Sequence, residues 1–518
     1  MGGNRLGYLV LVLMTFPFMI LYLVISSIVL FSHGYSPSSH FFAVLLIIGD
    51  TFFALQTSAY LYNFYKAQFH YPQTIANYYR RYASSRVAVF IMAFNEPAEI
   101  IERTVTAVKL ATGERGRVFL LDDSTNVRIR ESVKEIAKNY DVAYVHRENR
   151  RGAKAGAIND AMHLVTEEYL AVFDSDQRPS PEFFDEILPL LEDDGSLAYV
   201  QVPQVYVNTD ASRMASAAQS VQALFFDYIA EGKSVSNAMF TCGSNVVYRV
   251  AALSDVGNFD ETIVTEDMAT AINMHARGWK SLYYNKKLVF GEGPSTLAAY
   301  FTQQGRWSLG SISLWPRVIK LMLRHPKRMK ASQYWEYLNS TSWYLVGFAN
   351  MFVILPPLAY VFLGIPPVVG PGILLFYALV PYLALSMTSF FLTMRLRGHG
   401  ISSAILNISL NFVCFPVYLV SAVYALTGRK KPFKVTPKGQ KGGKEPLVRL
   451  WPQLSLLFLL LFGAIAGLAK YLVDDSIGYA ISSVWLIYVA VWIFGLFYVN
   501  SVSKETSIYA ETLKVYSK

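Results

Sequence analysis

Residues 153–176, which read AKAGAINDAMHLVTEEYLAVFDSD, decide the fold. The first part predicts a helix over residues 153–164, and residues 169–173 form a short apolar run that is typical of a buried strand. This strand ends at Asp174-Ser175-Asp176. A helix that leads into a buried strand with a polar end is the repeating unit of α/β proteins, so a parallel sheet flanked by helices is predicted.

Three more strands are predicted upstream of this unit, and polar residues follow two of them. Residues 86–93 form a strand that ends at Phe94-Asn95-Glu96-Pro97, and a helix over residues 99–110 follows. Residues 117–121 form a strand that ends at Asp122-Asp123-Ser124, and residues 142–146 form the third. Ligands of parallel sheets lie beyond the carboxyl ends of the strands. Acidic residues therefore follow three of four strands and are expected to converge on one crevice.

The convergence of acidic residues predicts a divalent cation. Asp174 and Asp176 flank Ser175, so both carboxylates can reach one hard cation with oxygen ligands. Mg²⁺ or Mn²⁺ at this position would bridge the carboxylates to a diphosphate and assist its departure. The alternative is that each acidic residue only forms a turn or a helix cap at a strand end. That alternative explains one such motif better than it explains acids at three strand ends.

Other residues at the same edge are suited to a nucleotide. Asp122, Asp123 and Glu96 can accept hydrogen bonds from the N–H of a uracil and from ribose hydroxyls. Lys154 lies at the start of the helix over residues 153–164, so its ammonium and the helix dipole would both lie near an anion.

The stretch from Asp260 to Trp307 carries a second set of chemical groups. Asp267, in Thr265-Glu266-Asp267, can take a proton from an attacking hydroxyl. Gln303-Gln304-Gly305-Arg306-Trp307 offers an arginine that can neutralise a departing phosphate and a flat indole on which a sugar ring can lie. The alternative interpretation is a charged helix start followed by a buried tryptophan with an arginine at its edge.

The composition predicts a membrane protein. Of 518 residues, 53% are hydrophobic and only 16% are charged, which is too apolar for a soluble chain of this length. Six apolar runs are long enough to span a bilayer: residues 7–31, 41–65, 342–363, 373–394, 454–473 and 477–499. The predicted organisation is two spans in 1–65, a cytoplasmic α/β domain in 66–299, interfacial helices in 300–337, two spans in 338–400, an interfacial helix and a loop in 401–449, and two spans with a short cytoplasmic tail in 450–518.

The distribution of basic residues predicts the orientation. The net charge is +9, yet the short connections 32–40, 364–372 and 474–476 contain no Lys or Arg. By the positive-inside rule, the α/β domain and both termini are cytoplasmic. Residues 401–427 are read as an interfacial or re-entrant helix, because a crossing would place the basic run that follows on the outside. A seventh span is the alternative.

Cys242 and Cys414 are expected to be reduced and unpaired.

Taken in order, these motifs resemble those of the processive family-2 glycosyltransferases with a GT-A fold, the group that includes cellulose, curdlan, chitin and hyaluronan synthases. The series is Asp122-Asp123, Asp174-x-Asp176, Thr265-Glu266-Asp267 and Gln303-x-x-Arg306-Trp307. Four further stretches are similar to the cellulose synthase branch: KAGAIN at 154–159, VQVPQVYVN at 200–208, FTCGS at 240–244 and FKVTPK at 433–438.

The resemblance implies a role for each matching residue. Asp267 would be the catalytic base within the motif that also contains Thr265 and Glu266. The nucleotide sugar would be bound by Phe94, Glu96, Asp122, Asp123, Lys154, Asp174 and Arg306, and the metal by Asp174 and Asp176. The acceptor would lie on Cys242, Gly243, Gln303 and Trp307, and a gating loop with Phe433, Val435, Thr436 and Lys438 would insert over the nucleotide.

The resulting prediction is a GT-A glycosyltransferase domain inserted between the transmembrane helices of a polytopic α-helical protein of the plasma membrane. It would invert the anomeric centre, elongate a β-linked polysaccharide and export it through its own channel. The favoured product is a β-glucan made from UDP-glucose, and no nucleic acid is expected as a partner. Gln177 departs from the pattern, because many cellulose synthases have His there, and no further domain is expected after the last span. The alternatives are transfer to a lipid acceptor, a hyaluronan-, chitin- or mannan-type synthase, and a transporter with a regulatory nucleotide-binding domain.

Overall fold

A computed structural model describes residues 2–30, 34–78, 83–369, 372–429 and 443–501. The chain divides into two compact units. The first, here called the sheet unit, comprises the described residues of Asn63–Thr341 together with Gly443. The second, here called the helical unit, comprises the described residues of Met1–Tyr62, Ser342–Lys430 and Lys444–Ser501.

A seven-stranded sheet organises the sheet unit. Its strand order is β3-β2-β1-β4-β8-β6-β9, so the strand before the two aspartates, β4, is central. A second, three-stranded sheet has the order β5-β10-β7. The strands are β1 (Val87–Ala93), β2 (Gly116–Asp122), β3 (Ala143–His146), β4 (Tyr169–Asp174), β5 (Arg178–Pro179), β6 (Leu197–Gln201), β7 (Val205–Tyr206), β8 (Val246–Arg249), β9 (Lys280–Tyr283) and β10 (Val289–Gly291).

The four strands predicted from the sequence are present and parallel. β1 pairs with β2 and with β4, in a register that places Ala93 opposite Asp122 and Met92 opposite Asp174. The sequence did not predict β8, which runs antiparallel to both β4 and β6 and makes the sheet mixed. The chain enters β8 from the carboxyl end of β4, where the Asn245 N–H donates to the Val172 carbonyl, and therefore runs back along that strand.

Both faces of the large sheet are buried, which explains why its strands are continuously apolar. Val89 and Ile91 of β1 belong to the core on one face, and Phe90 belongs to the core on the other. The helices of the sheet unit are α3 (Tyr71–Ala76), α4 (Ala98–Thr112), α5 (Val127–Asn139), α6 (Ala153–Ala161), α7 (Phe183–Asp193), α8 (Arg213–Leu224), α9 (Ala230–Val235), α10 (Val250–Asp255), α11 (Glu266–Ala276), α12 (Leu297–Arg324) and α13 (Ala331–Ser342), together with a π-helical segment, Phe225–Ile229. α4, α5 and α7 cover the first face, and α6, α10 and α11 cover the second.

The helical unit consists of long apolar helices. They are α1 (Gly2–Leu30), α14 (Val346–Leu363), α15 (Gly372–Leu396), α16 (Ile401–Val413), α17 (Phe415–Thr427), α18 (Trp451–Asp474) and α19 (Ile477–Val499), with most of α2 (Pro37–Phe69).

Within the described residues, six stretches are long and apolar enough to cross a membrane: Leu9–Leu30, Pro37–Phe69, Ala331–Leu363, Leu374–Leu396, Leu447–Asp474 and Ile477–Val499. Each contains most of one predicted span, so the prediction of a polytopic α-helical membrane protein is confirmed. α16 and α17 meet at a 49° bend and together form either a broken span or a re-entrant pair. The interfacial assignments of residues 300–337 and 401–449 stay predictions.

Candidate functional site

The turn after β4 presents two carboxylates at the edge of the sheet. Thr104 donates a hydrogen bond to the Ser175 carbonyl at 2.7 Å, and the Asp174 N–H donates to Ser244 Oγ at 2.9 Å. These bonds hold the turn from both sides. The Asp174 side chain is 36% exposed, whereas Asp176 is buried. A carboxylate therefore faces the crevice that the strand ends predict.

Lys154 brings a positive charge to the same carboxylate. It lies in the first turn of α6, pairs with Asp174 Oδ1 and donates a hydrogen bond to the Gly243 carbonyl at 2.7 Å. The lysine thus joins the start of α6, the end of β4 and the turn before β8.

The donor set at this turn fits a divalent cation that is shared with a substrate. No group of three or more His, Cys, Asp or Glu side chains that could hold a metal occurs among the residues that the structure describes. Mg²⁺ is usually held by one or two carboxylates together with substrate phosphates. Asp174 and Asp176 supply two such carboxylates, and the lysine ammonium at Asp174 shows that this position accommodates positive charge.

Asp267 also lies close to Gly243. It is in the first turn of α11, where its Oδ1 accepts a hydrogen bond from the Met268 N–H at 2.7 Å. A Cβ on Gly243 would lie 3.1 Å from Asp267 Oδ2 and 3.7 Å from Lys154 Nζ, and Gly243 has φ +77°. Both the backbone angle and the close approach favour glycine here. The structure therefore brings Lys154, which pairs with Asp174, and the predicted base together around one backbone position.

Burial makes Asp267 a better proton acceptor than an exposed carboxylate. Burial raises the pKa of Asp267, while the Met268 N–H and the charges of Lys154 and Arg306 act in the opposite direction. Burial also raises the pKa of Glu266, and the neighbouring Asp267 raises it further. A raised pKa brings a carboxylate closer to the range in which general bases operate.

α12 packs its glutamine-arginine-tryptophan motif beside the same helix start. A Cβ on Gly310 would lie 2.3 Å from Thr265 Cγ2, so the helix and the residue before Glu266 are in direct contact. Gln303 Nε2 donates to the Tyr206 hydroxyl at 3.4 Å. Arg306 and Trp307 lie about one turn before Gly310 and are half-buried. Motifs that are about forty residues apart in the sequence are thus neighbours.

The carboxylates of Asp122 and Asp123 already have partners within the protein. Asp122 accepts from the Ser124 N–H and from the Tyr144 hydroxyl, both at 2.9 Å. Asp123 accepts two hydrogen bonds from Arg147, both at 2.8 Å. These bonds fix the end of β2 against β3 and the loop that follows it. Direct contact between the two aspartates and a nucleotide stays a prediction.

Sequence reasoning missed Arg147 and Gln201. Arg147 also donates to the Arg151 carbonyl at 2.7 Å and so ties the loop before α6 to β2. Gln201 Nε2 donates to the carbonyls of Ser244 and Asn245, and its Oε1 accepts from the Cys242 N–H at 2.9 Å. Gln201 therefore shapes the turn that contains Gly243. Its position as the second residue of the VQVPQVYVN stretch at 200–208 was the available signal.

Glu96 Oε2 accepts a hydrogen bond from the Phe94 N–H, and the Arg150 guanidinium lies 4.0 Å from the Phe94 ring centroid.

Burial raises the pKa of the Cys242 thiol, which keeps the thiol protonated. The gating-loop residues Phe433, Val435, Thr436 and Lys438 lie outside the described residues.

The mixed sheet, the paired aspartates at the end of a central strand and the helix that begins with an acidic pair define a GT-A glycosyltransferase fold. A solved mannosyltransferase from Pyrobaculum calidifontis, in complex with GDP-Man and Mn²⁺, superposes with a TM-score of 0.52 over 74% of this chain and 100% of its own. At 15% sequence identity this similarity shows the fold alone.

Residues 169–397 match the model for glycosyl transferase family group 2. It is 27% identical over 416 residues to a cellulose synthase catalytic subunit of Pseudomonas fluorescens (strain SBW25), covering 78% of this chain and 54% of the relative. It is 34% identical over 252 residues to glucomannan 4-beta-mannosyltransferase 1 of Oryza sativa subsp. japonica, covering 46% of this chain and 48% of the relative. The chain thus spans about half the length of these two relatives. The sequence-based recognition of the family is confirmed.

Proposed function

We propose that this protein is a membrane-embedded, processive and inverting hexosyltransferase that elongates a β-linked polysaccharide from a nucleotide sugar. The observation that carries the proposal is the position of Gly243, which lies next to both the Asp267 carboxylate and the Lys154 ammonium that pairs with Asp174. The proposed proton acceptor and the lysine proposed to meet the diphosphate thus both lie next to one backbone position.

The chain's own groups are suited to direct displacement. Asp267 takes the proton from the acceptor hydroxyl as that oxygen bonds to the anomeric carbon of the donor. The bond between this carbon and the diphosphate breaks, and its electrons leave with the nucleoside diphosphate. Attack opposite the leaving group inverts the configuration, so an α-linked donor yields a β-linked product.

The leaving diphosphate needs positive charge rather than a proton. Lys154, at the amino end of α6, and Arg306 are the cationic side chains placed to supply it. When Mg²⁺ or Mn²⁺ is bound by Asp174 and Asp176, it supplies Lewis-acid stabilisation of the same diphosphate.

Processive synthesis and export are part of the proposal. The support is the contact between Thr265 and α12, the helix that carries Trp307, together with the six candidate spans among the described residues and the similarity to a cellulose synthase subunit. In this proposal the sheet unit is cytoplasmic, the membrane is the plasma membrane, and the growing polymer leaves through the helical unit. The donor is UDP-glucose and the product a β-glucan.

The test is synthesis by the purified full-length protein. The protein in detergent is incubated with radiolabelled UDP-glucose and Mn²⁺, and the product is sized and digested with linkage-specific hydrolases. A long product that a β-glucanase degrades supports the proposal. A product of one or two sugars attached to lipid would contradict processivity and support transfer to a lipid acceptor.

GDP-mannose is the second candidate donor. The sequence identity of this chain to the glucomannan mannosyltransferase relative is 34%, against 27% to the cellulose synthase subunit, although the first match is shorter. Parallel reactions with labelled GDP-mannose and UDP-N-acetylglucosamine separate these donors, because only the true donor supports polymer formation.

A further inference from the structure

α11 is held at both of its ends, although only its first turn carries the proposed chemistry. His275, in its last turn, is buried. Its Nδ1 lies 2.6 Å from the Tyr337 hydroxyl of α13, and its Nε2 lies 2.9 Å from Ser281 Oγ of β9. Burial lowers the pKa of His275 to about 3, so the imidazole is neutral and can donate at one nitrogen and accept at the other.

α13, which supplies Tyr337, is itself firmly anchored within the sheet unit. Glu336, the neighbouring residue, is fully buried. It accepts hydrogen bonds from Lys66 at 2.5 Å, Lys233 at 2.9 Å and Asn63 at 3.0 Å. Removing one partner from such a buried charge cluster leaves an uncompensated charge, so α13 resists displacement.

The three helices around the proposed site also share one apolar core. Met268 and Ile272 of α11 pack with Leu314 and Val318 of α12 and with Tyr337 of α13. The first two helices carry the proposed base and the arginine-tryptophan motif. The hydrogen bond between His275 and Tyr337 adds a directional contact that resists movement of α11 along its own axis.

We propose that Tyr337 and His275 are positioning residues: by holding the carboxyl end of α11, they set where Asp267 lies at its amino end. The two ends are eight residues apart, or about 12 Å along a helix, so a shift at one end is transmitted to the other. This inference rests on the proposed function, because it assigns the pair to the proton-transfer step. Donor binding involves β4 and α6, which the pair does not touch in the described contacts.

The matched experiment compares two tyrosine-to-phenylalanine variants of α13. Tyr337→Phe removes the hydroxyl that contacts His275. The control is Tyr334→Phe, at a tyrosine of the same helix and the same apolar core. It removes a hydroxyl that donates to the His325 carbonyl at 2.7 Å. We expect kcat of Tyr337→Phe to fall about tenfold or more, since small misplacements of reacting groups cost up to about a hundredfold. KM for the donor and the affinity for UDP should stay unchanged, and Tyr334→Phe should keep the wild-type kcat.

A second variant keeps the inference testable if Tyr337→Phe folds poorly. His275→Gln retains an amide donor and acceptor but cannot place both as the imidazole does. If the two residues act through one hydrogen bond, the double variant loses no more kcat than the worse single variant. Additive losses, or equal kcat in Tyr337→Phe and Tyr334→Phe, overturn the positioning role while the wild-type enzyme remains active. Absence of wild-type turnover with every nucleotide sugar overturns the proposed function itself.

Discussion

Asp267 is the residue on which the proposed chemistry depends most directly. Asp267→Asn keeps the shape of the side chain but removes the carboxylate that takes the proton. Turnover should fall by roughly a hundredfold to ten-thousandfold, and UDP affinity should be retained, as measured by polymer synthesis and by calorimetry. Asp141→Asn, an exposed aspartate before the amino end of β3, is the control that should keep full activity. Retained turnover in Asp267→Asn would exclude it as the base.

Alanine substitutions at Gly243 and Gly257 separate the effect of backbone strain from the effect of side-chain crowding. Gly243→Ala places a methyl group 3.1 Å from Asp267 Oδ2 and strains a backbone with φ +77°. Gly257→Ala imposes the same strain, with φ +79°, but its methyl group meets nothing within 4 Å. Both variants should lose about 1 kcal/mol of stability in thermal unfolding, whereas only Gly243→Ala should lose most of its synthesis rate. Equal activity in the two variants would show that the approach to Asp267 is unimportant.

At the scale of single elements, the contact between α12 and Thr265 sets the arginine-tryptophan motif beside the base helix. Gly310→Ala would place a methyl group 2.3 Å from Thr265 Cγ2 and push the two apart. Turnover should fall even though alanine is the better helix former. Thr265→Ser removes the crowding methyl group but keeps the hydroxyl, so the Gly310→Ala/Thr265→Ser variant should recover part of the synthesis rate. No recovery would mean that the loss has another cause.

His275, near the carboxyl end of α11, should make the stability of the folded protein depend on pH. The folded-state pKa of His275 is lowered to about 3 by burial, whereas an unfolded histidine titrates near about 6.5. The unfolded chain therefore binds more protons between these values, and the contribution of His275 is present above about pH 6.5 and is lost as the pH falls toward about 3. Thermal unfolding should show a steeper loss of Tm with acid in the wild type than in His275→Gln. Parallel slopes would contradict this.

At the scale of the whole molecule, the proposed orientation places the two units' exposed residues on defined sides of the membrane. Ser36 lies between α1 and α2, and Glu114 lies in the sheet unit; both are exposed. A membrane-impermeant maleimide should label Ser36→Cys in intact cells but Glu114→Cys only after permeabilisation. The unsubstituted chain, with Cys242 and Cys414, measures the background. The reverse pattern would overturn the cytoplasmic placement of the sheet unit.

Local pattern and order along the chain were enough to predict the strands, the candidate spans and the shared edge of the acidic residues. An apolar run of five residues predicts a buried strand, and a run of about twenty predicts a membrane span, because each property is set by neighbours in the sequence. Adjacent parallel strands bring their carboxyl ends to one edge, so Asp122 and Asp174 were placed correctly from the sequence alone. The antiparallel direction of β8 was not predicted, because the direction of a strand depends on how the chain returns to the sheet.

Only the tertiary structure decided which polar side chains pair with other groups of the protein. Asp123 and Arg147 are 24 residues apart, and His275 and Tyr337 are 62 residues apart, yet each pair is hydrogen-bonded. Nothing local distinguishes a carboxylate that will meet an arginine from one that will remain open to a ligand. Burial, and hence the raised pKa of Asp267, likewise depends on packing between distant helices. The sequence by itself determined which chemical groups are present and on which edge they lie. The folded chain decided which of them meet at Gly243, because that depends on contacts between segments far apart in the chain.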